Sequence, residues 1–524
     1  MTESARVWRL AVKITLATMT FASLLLYAAG LMALRQDRAP GWSLEAQGPI
    51  PVAVSYLAYG TPLGAADDNV EQRFLHPDGA SVQALLAVAA SGSIPRGPVD
   101  MYSPDGASAG TNVFATVAMA LFGIALSSLV KLYLVLVGIG VVAFVLRFQD
   151  NRLIVVPLYL LVVTLVLITP FATATAAAAY MPIGGQHYFA VAAILPALHI
   201  FFDLTERTRA ADCWRRIGNG LLLFVQATLL FAVILMRSSA GYLLVVLAAA
   251  WLWKIRSDRK QRGELIALLV KTVIVGAALG LWTIFVVAEL PGYVTSGRVA
   301  GNFWHRTFVS LSLSPQWPFG NLRQVYDCTA YIPEGLSRQD MDRNGHCVWW
   351  VYPPNKTRSA KDVMAGVYGA EYETAIRQAF FYVVTRYPGQ VLKLYVYEKS
   401  RYILLVLGEA LHVSFGLPRA LMTKALFSLP RFPVSKTLFA IVAAQGLLFV
   451  AFTLVLAAVD RSIVDRRLSI IPIFFGASLA PLYFAWANYW TSADTVVLFY
   501  CCLLLAVLLV AQRALTMMRD KYGS

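Results

Sequence analysis

The chain has 524 residues, 58% of them hydrophobic and only 14% charged, with a formal net charge of +15. Soluble domains carry about 25% charged residues, so this composition excludes an ordinary soluble globular protein. The surplus of bases does not argue for nucleic acid, because Lys and Arg sit mostly in short connectors between apolar runs, where they set membrane orientation.

Hydropathy predicts ten spans, at residues 14–33, 128–148, 153–170, 188–202, 217–236, 241–253, 265–287, 438–459, 470–490 and 495–510. Such runs predict an all-α polytopic membrane protein. The sixth run is short. The first follows Arg6, Arg9 and Lys13 and ends without a small-residue cleavage site, so it reads as a retained span.

Connector charge orients the scheme. One set holds Arg6/Arg9/Lys13, Arg147/Arg152, Arg207/Arg209/Arg215/Arg216, Lys254/Arg256/Arg259/Lys260/Arg262, Arg461/Arg466/Arg467 and Arg513/Arg519/Lys521. In the other set, residues 171–187 and 491–494 hold no Lys or Arg, and the hairpin near Ser238 holds only Arg237. The bias predicts cytoplasmic N- and C-termini in a bacterial inner membrane. Residues 113–146 are almost continuously apolar, interrupted by Lys131, and can cross once or twice. We read 113–125 as an interfacial helix followed by a single span, since a second crossing would invert every later connector.

This gives five regions: 1–34, a cytoplasmic tail and the first span; 35–111, a first periplasmic loop; 112–288, the interfacial helix and spans two to seven; 289–436, a second periplasmic lobe with interfacial helices; and 437–524, spans eight to ten and a cytoplasmic tail. In the first loop, Pro-Asp-Gly-Ala-Ser occurs at 77–81 and again at 104–108, which reads as turn and helix-cap chemistry used twice. In the second lobe, 371–386 reads as a helix ending at Pro388, and 392–411 as an amphipathic helix near the interface.

The acidic residues of the first loop are the first chemical candidates. Asp67, Asp68 and Asp78 can take a proton from a hydroxyl, or bind a divalent cation such as Mg or Mn that bridges phosphate oxygens. They equally suit helix N-caps. Arg237 suits a phosphate at the membrane surface, because a guanidinium fork matches its oxygens, and equally suits a lipid headgroup. His187, after Gly184-Gly185-Gln186, can hydrogen-bond a sugar or phosphate at the start of the fourth span. Trp304, His305 and Arg306 place an aromatic ring, an imidazole and a cation together, which fits a carbohydrate or lipid-phosphate surface and also an aromatic belt. His199 reads as plain packing, and Lys271 as a base that snorkels to the near end of its span. The five cysteines form no CxxC pattern; Cys328 and Cys347 share the second lobe and are read as a disulfide closing a loop worth about 3 kcal/mol. Asn355-Lys356-Thr357 has the pattern of a glycosylation sequon.

The order of elements resembles the membrane glycosyltransferases of the C-type (GT-C) fold. Asp78, the apolar stretch 82–90 and Gly92 resemble that family's acidic residue, amphipathic helix and glycine. Met101-Tyr102-Ser103 through Gly110 resembles the return to the second span. Trp304-His305-Arg306-Thr307, Tyr372-Glu373 and Arg386-Tyr387-Pro388 resemble a group of little-characterised bacterial members. The resemblance implies transfer of a sugar from a polyprenyl-phosphate donor to a lipid, glycan or protein acceptor on the periplasmic side. It implies membrane lipid as partner, and no nucleic acid or soluble partner. In that reading Asp67, Asp68 or Asp78 is the base, Arg237 and His187 hold the donor phosphate, and Trp304, His305 and Arg306 line the acceptor surface. The family often places a second carboxylate at the outer end of its third or fourth span; here 171–187 contains no Asp or Glu, and Gln186-His187 stands there. Two other classes fit the layout: a lipid or polysaccharide translocase, and a non-catalytic envelope assembly protein.

Overall fold

The computed structural model describes residues 109–123, 126–148, 157, 189–206, 213–258, 261–289, 303–313, 342–359, 363, 369–415, 466–484 and 493–522. Among the described residues the chain is helical, without a strand. Six helices are long and apolar enough to cross a membrane. The predicted spans at 14–33, 153–170 and 438–459 lie outside the described residues.

α1 (Ala109–Phe122) and α2 (Leu126–Phe148) divide the long apolar run. The break is Gly123, whose φ of 91° lies in the left-handed region that glycine adopts without Cβ strain. Its carbonyl accepts the Ser128 hydroxyl at 2.6 Å. α1 has 14 residues, about 21 Å at 1.5 Å per residue, which is too short for a hydrocarbon core of about 30 Å. Gly110 packs against the backbone of Leu235 and Met236 so closely that a Cβ there would overlap it. The start of α1 is thus fixed to the end of another long helix.

α3 (Phe189–Ala192) and α4 (Ile194–Thr205) form the predicted fourth span, here as a shorter apolar helix over Ala190–Thr205. α5 (Cys213–Met236) is the central helix and touches α1, α2, α4 and α7. Its Gln226 amide donates to the Gly140 carbonyl of α2 at 2.7 Å. The short sixth run gains length from a 3-10 turn, Ser238–Gly241, that leads into α6 (Tyr242–Ser257), so Ser239–Ser257 reaches span length. α7 (Arg262–Glu289) is mostly exposed, with Ile266, Leu269, Val273 and Ile284 each more than 60% accessible. An apolar face of this kind belongs against lipid or another apolar helix.

Beyond α7 a cap of shorter helices begins. α8 (Phe303–Val309) continues as a 3-10 turn, Ser310–Leu313. α9 (Asp342–Val351) and α10 (Ala370–Arg386) pack on it and on each other. Tyr387 closes α10, and Pro388 opens α11 (Pro388–Lys393), since proline needs no N–H in a first turn. A π-helical turn, Leu394–Glu398, leads into α12 (Lys399–Phe415). The helix predicted over 371–386 thus ends where expected, and a new helix opens at Pro388. The last pair, α13 (Ile470–Phe484) and α14 (Ala493–Tyr522), returns to the bundle, where α13 packs on α6 and α14.

α2 and α4 run in the same direction, both ending where Arg147 meets Asp203. One end of the bundle gathers Arg147, Asp203, Lys271 and the Lys254–Asp258 pair. The other gathers Arg237, Tyr242, Asp494, the start of α1 and the attachment of the cap to Tyr483. Among the described residues, the bases Arg147, Lys254 and Lys271 belong to the first end.

Candidate functional site

Asp67, Asp68, Asp78, His187 and Cys328 lie outside the described residues. The remaining sequence candidates fall into two places, both at the capped end of the bundle.

The first place is the meeting of α5, α6 and α14. Arg237 follows the last residue of α5 and is only 4% exposed. Asp494, in the first turn of α14, lies beside the Tyr242 hydroxyl and within electrostatic reach of Arg237. A carboxylate in a first helical turn is favoured by the backbone N–H groups there. Arg237 is thus buried beside a carboxylate and is not displayed on an exposed hairpin. Sequence reading missed Asp494 as its neighbour. The available signal was an aspartate at the mouth of a span, in a connector with no base to pair with.

The second place is the cap. The Glu373 carboxylate accepts the backbone N–H groups of Trp304 at 2.8 Å and His305 at 3.1 Å. It so satisfies the first donors of α8, which have no partner within the helix. Burial pushes the Glu373 carboxyl above its ordinary value, and the two N–H donors and His305 oppose that rise. His305 Nδ1 lies 2.6 Å from the Tyr372 hydroxyl. Gly345 closes over both: a Cβ there would come within 2.6 Å of each. His305 is therefore a packed, bonded core residue of the cap, and does not line an open surface. Trp304 is half-buried among Phe303, Phe380 and Phe381. Cys347 is buried in α9; the free thiols among the described residues are Cys501 and Cys502. Asn355 is 3% exposed and its amide donates to the Trp349 carbonyl at 2.8 Å, so the sequon asparagine is committed to the core.

Lys399 joins cap to bundle. It is 1% exposed and donates to Ser310 Oγ at 2.9 Å and to the Tyr483 carbonyl in the last turn of α13. That carbonyl is one of the four at a helix end that lack an intrahelical donor. Nζ also sits 4.1 Å above the Tyr395 ring, and the neighbouring Ser400 and Tyr483 hydroxyls are 2.8 Å apart. Burial pulls the amine from 10.5 down to about 7. Its protonated form is thus disfavoured in the docked state. Between pH 7 and 10 the undocked lysine binds a proton that the docked one does not, so docking strengthens as pH rises, by about 1.4 kcal/mol per unit. Below pH 7 both states are protonated and the gain is gone. Above pH 10 the buried Tyr395 and Tyr402, whose pKa values burial raises, reverse the trend. Hydrogen exchange of residues 388–415 should slow between pH 7 and 9 after correction for intrinsic rates, and Lys399→Met should remove that dependence.

Among the described residues, no three His, Cys, Asp or Glu side chains are grouped so as to hold a metal ion. Comparison with family models, with characterised proteins and with solved structures finds no match to this chain.

Proposed function

We propose that the chain is a GT-C-type membrane glycosyltransferase that moves a sugar from a polyprenyl-phosphate donor to an acceptor on the periplasmic side of a bacterial inner membrane. The observation that carries this reading is one-sidedness. The buried Arg237–Asp494–Tyr242 group, the start of α1 and the docked cap all sit at one end of the bundle, while the Arg147–Asp203–Lys271 group sits at the other. A lipid-linked donor presents its phosphate and sugar at one membrane surface, so a transferase needs its machinery at one end only. Among the described residues the ionisable side chains of the bundle gather near its two ends. A translocase would instead need a polar path between them.

In this reading ten spans carry two periplasmic lobes and both termini are cytoplasmic. Asp67, Asp68 or Asp78 accepts the proton of the acceptor hydroxyl, with a divalent cation as an optional bridge to the donor phosphate. Arg237, held at the mouth by Asp494, and His187 stabilise the departing phosphate, since a cation counters the charge that develops there. Trp304 offers an aromatic face to the sugar or acceptor, Arg306 lies beside it, and His305 supports it from beneath. Cys347 pairs with Cys328 and fixes the cap. Transfer of radiolabelled sugar from a polyprenyl-phosphate donor, in membranes bearing the wild-type chain, is the direct test. Asp78→Ala, Asp67→Ala and Asp68→Ala are compared, and removal of the true base should lower the rate roughly 10²–10⁴-fold. Undiminished transfer in all three would exclude them as bases. Absence of transfer across a panel of donors would remove the transferase reading itself.

A further inference from the structure

The segment 388–415 presents an exposed apolar face that the cap does not use. Leu392, Val396 and Leu404 are 65%, 66% and 68% exposed. They form a row at four- and eight-residue spacing that runs through the π-helical turn, with Ser400 at the position between Val396 and Leu404. Ser400 meets the Tyr483 hydroxyl, and Lys399 meets the Tyr483 carbonyl, in the final turn of α13. The row therefore runs past the end of a helix that is itself long and apolar enough to span. Phe484, the last residue of α13, is 52% exposed, and its ring lies 6.5 Å from that of Tyr395. An exposed apolar side chain at the end of α13 thus adjoins this segment. A second row, Lys393, Tyr397 and Arg401, lies beside the first, and the Arg401 guanidinium is 6.0 Å from the Tyr397 ring.

We infer that this face is seated in the bilayer surface at the end of α13, with Leu392, Val396 and Leu404 among the acyl chains and Lys393 and Arg401 on anionic phospholipid headgroups. An aliphatic row flanked by bases and a tyrosine has the chemistry of a helix lying in the interface. Its place at a span end removes the freedom to choose another level. Lys399 serves as the pin and not as a lipid contact, because its amine is already committed to Ser310 and Tyr483. The inference requires α13 to span and is independent of sugar transfer.

Spin labels at Leu392→Cys, Val396→Cys and Leu404→Cys, in the full chain with its free thiols replaced, test it in proteoliposomes. Collisions with oxygen should exceed those with a water-soluble nickel chelate at all three sites, at a depth of roughly 5–10 Å below the phosphates. A label at the exposed Gln378→Cys of α10 should show the reverse. Nickel-dominated collisions at the three sites would overturn the proposal. So would exclusion of both reagents, which would mean that a second copy or another segment of the chain covers the face. Vesicles of phosphatidylcholine alone and with one quarter phosphatidylglycerol test the headgroup contact. The label at 396 should sit deeper with the anionic lipid, and K393Q/R401Q should abolish the difference. Equal depth of the wild-type chain in both vesicles would overturn the headgroup assignment.

Discussion

Replacing Asp203 by alanine should destabilise the bundle by about 3–5 kcal/mol, the cost of leaving a buried cation without its partner. Asp203 lies in the last turn of α4 with its side chain 3% exposed. It accepts the Arg147 Nε of α2 at 2.8 Å, while its backbone carbonyl accepts Lys271 of α7. Arg147 also reaches Glu206 at 2.5 Å. Three helices that are distant in sequence are therefore tied at one end by a nearly neutral set of charges. His199, 0% exposed and packed by Phe144 and Phe148, lies 3.4 Å from the second Asp203 oxygen. Loss of the carboxylate leaves Arg147 and Lys271 facing Glu206 alone. Unfolding in mild detergent, followed by proteolysis or steric trapping, measures the loss. Arg147→Met combined with Asp203→Leu should recover much of it, because removing both members of a buried pair is close to neutral. Failure of the double variant to recover would mean that Asp203 acts through packing or through His199.

Trp349→Ala should cost the cap about 3–5 kcal/mol, the range for a buried aromatic truncation. Trp349 is 0% exposed in the last turn of α9. Its indole N–H donates to the Val363 carbonyl at 2.7 Å, its ring stacks on Tyr352 at 5.7 Å, and Tyr372 meets it edge-on at 5.6 Å. The truncation removes that packing and leaves the Val363 carbonyl unpaired. Because Tyr372 in turn holds His305, the change should spread to α8. The readout is hydrogen exchange over 303–313 and 370–386, which should quicken while α2, α5 and α14 keep their protection. Uniform loss across both parts would show that cap and bundle unfold together.

The membrane character was legible because it rests on composition and run length, which hold residue by residue. The bias of bases toward alternate connectors is legible for the same reason, and the bundle brings Arg147 and Lys271 together at Asp203. The division of 113–146 was also readable, but its reason was not. A glycine at positive φ, followed by a serine that bonds its carbonyl, does not announce itself within an apolar run.

Partners across the chain were not legible. Arg237 and Asp494 are 257 positions apart, and Lys399 and Tyr483 are 84 apart. Nothing local couples them. Lys271 was expected to reach back to water, but instead it donates to the backbone of α4, where a protein acceptor replaces solvent. His305 and Asn355 each carry a pattern suited to a surface, a binding trio and a sequon, yet both are buried. A sequence motif fixes which groups are present, while burial is decided by what packs over them, here Gly345, Tyr372 and Trp349.

By itself, then, the sequence determined that this protein is built of helices long and apolar enough to cross a membrane, because hydrophobic run length is a local sum. Only the tertiary structure decided which polar groups neutralise one another and which side chains remain at a surface. Those outcomes depend on the approach of helices from distant parts of the chain, and in a medium that offers no water a polar group takes whichever partner the packing brings to it.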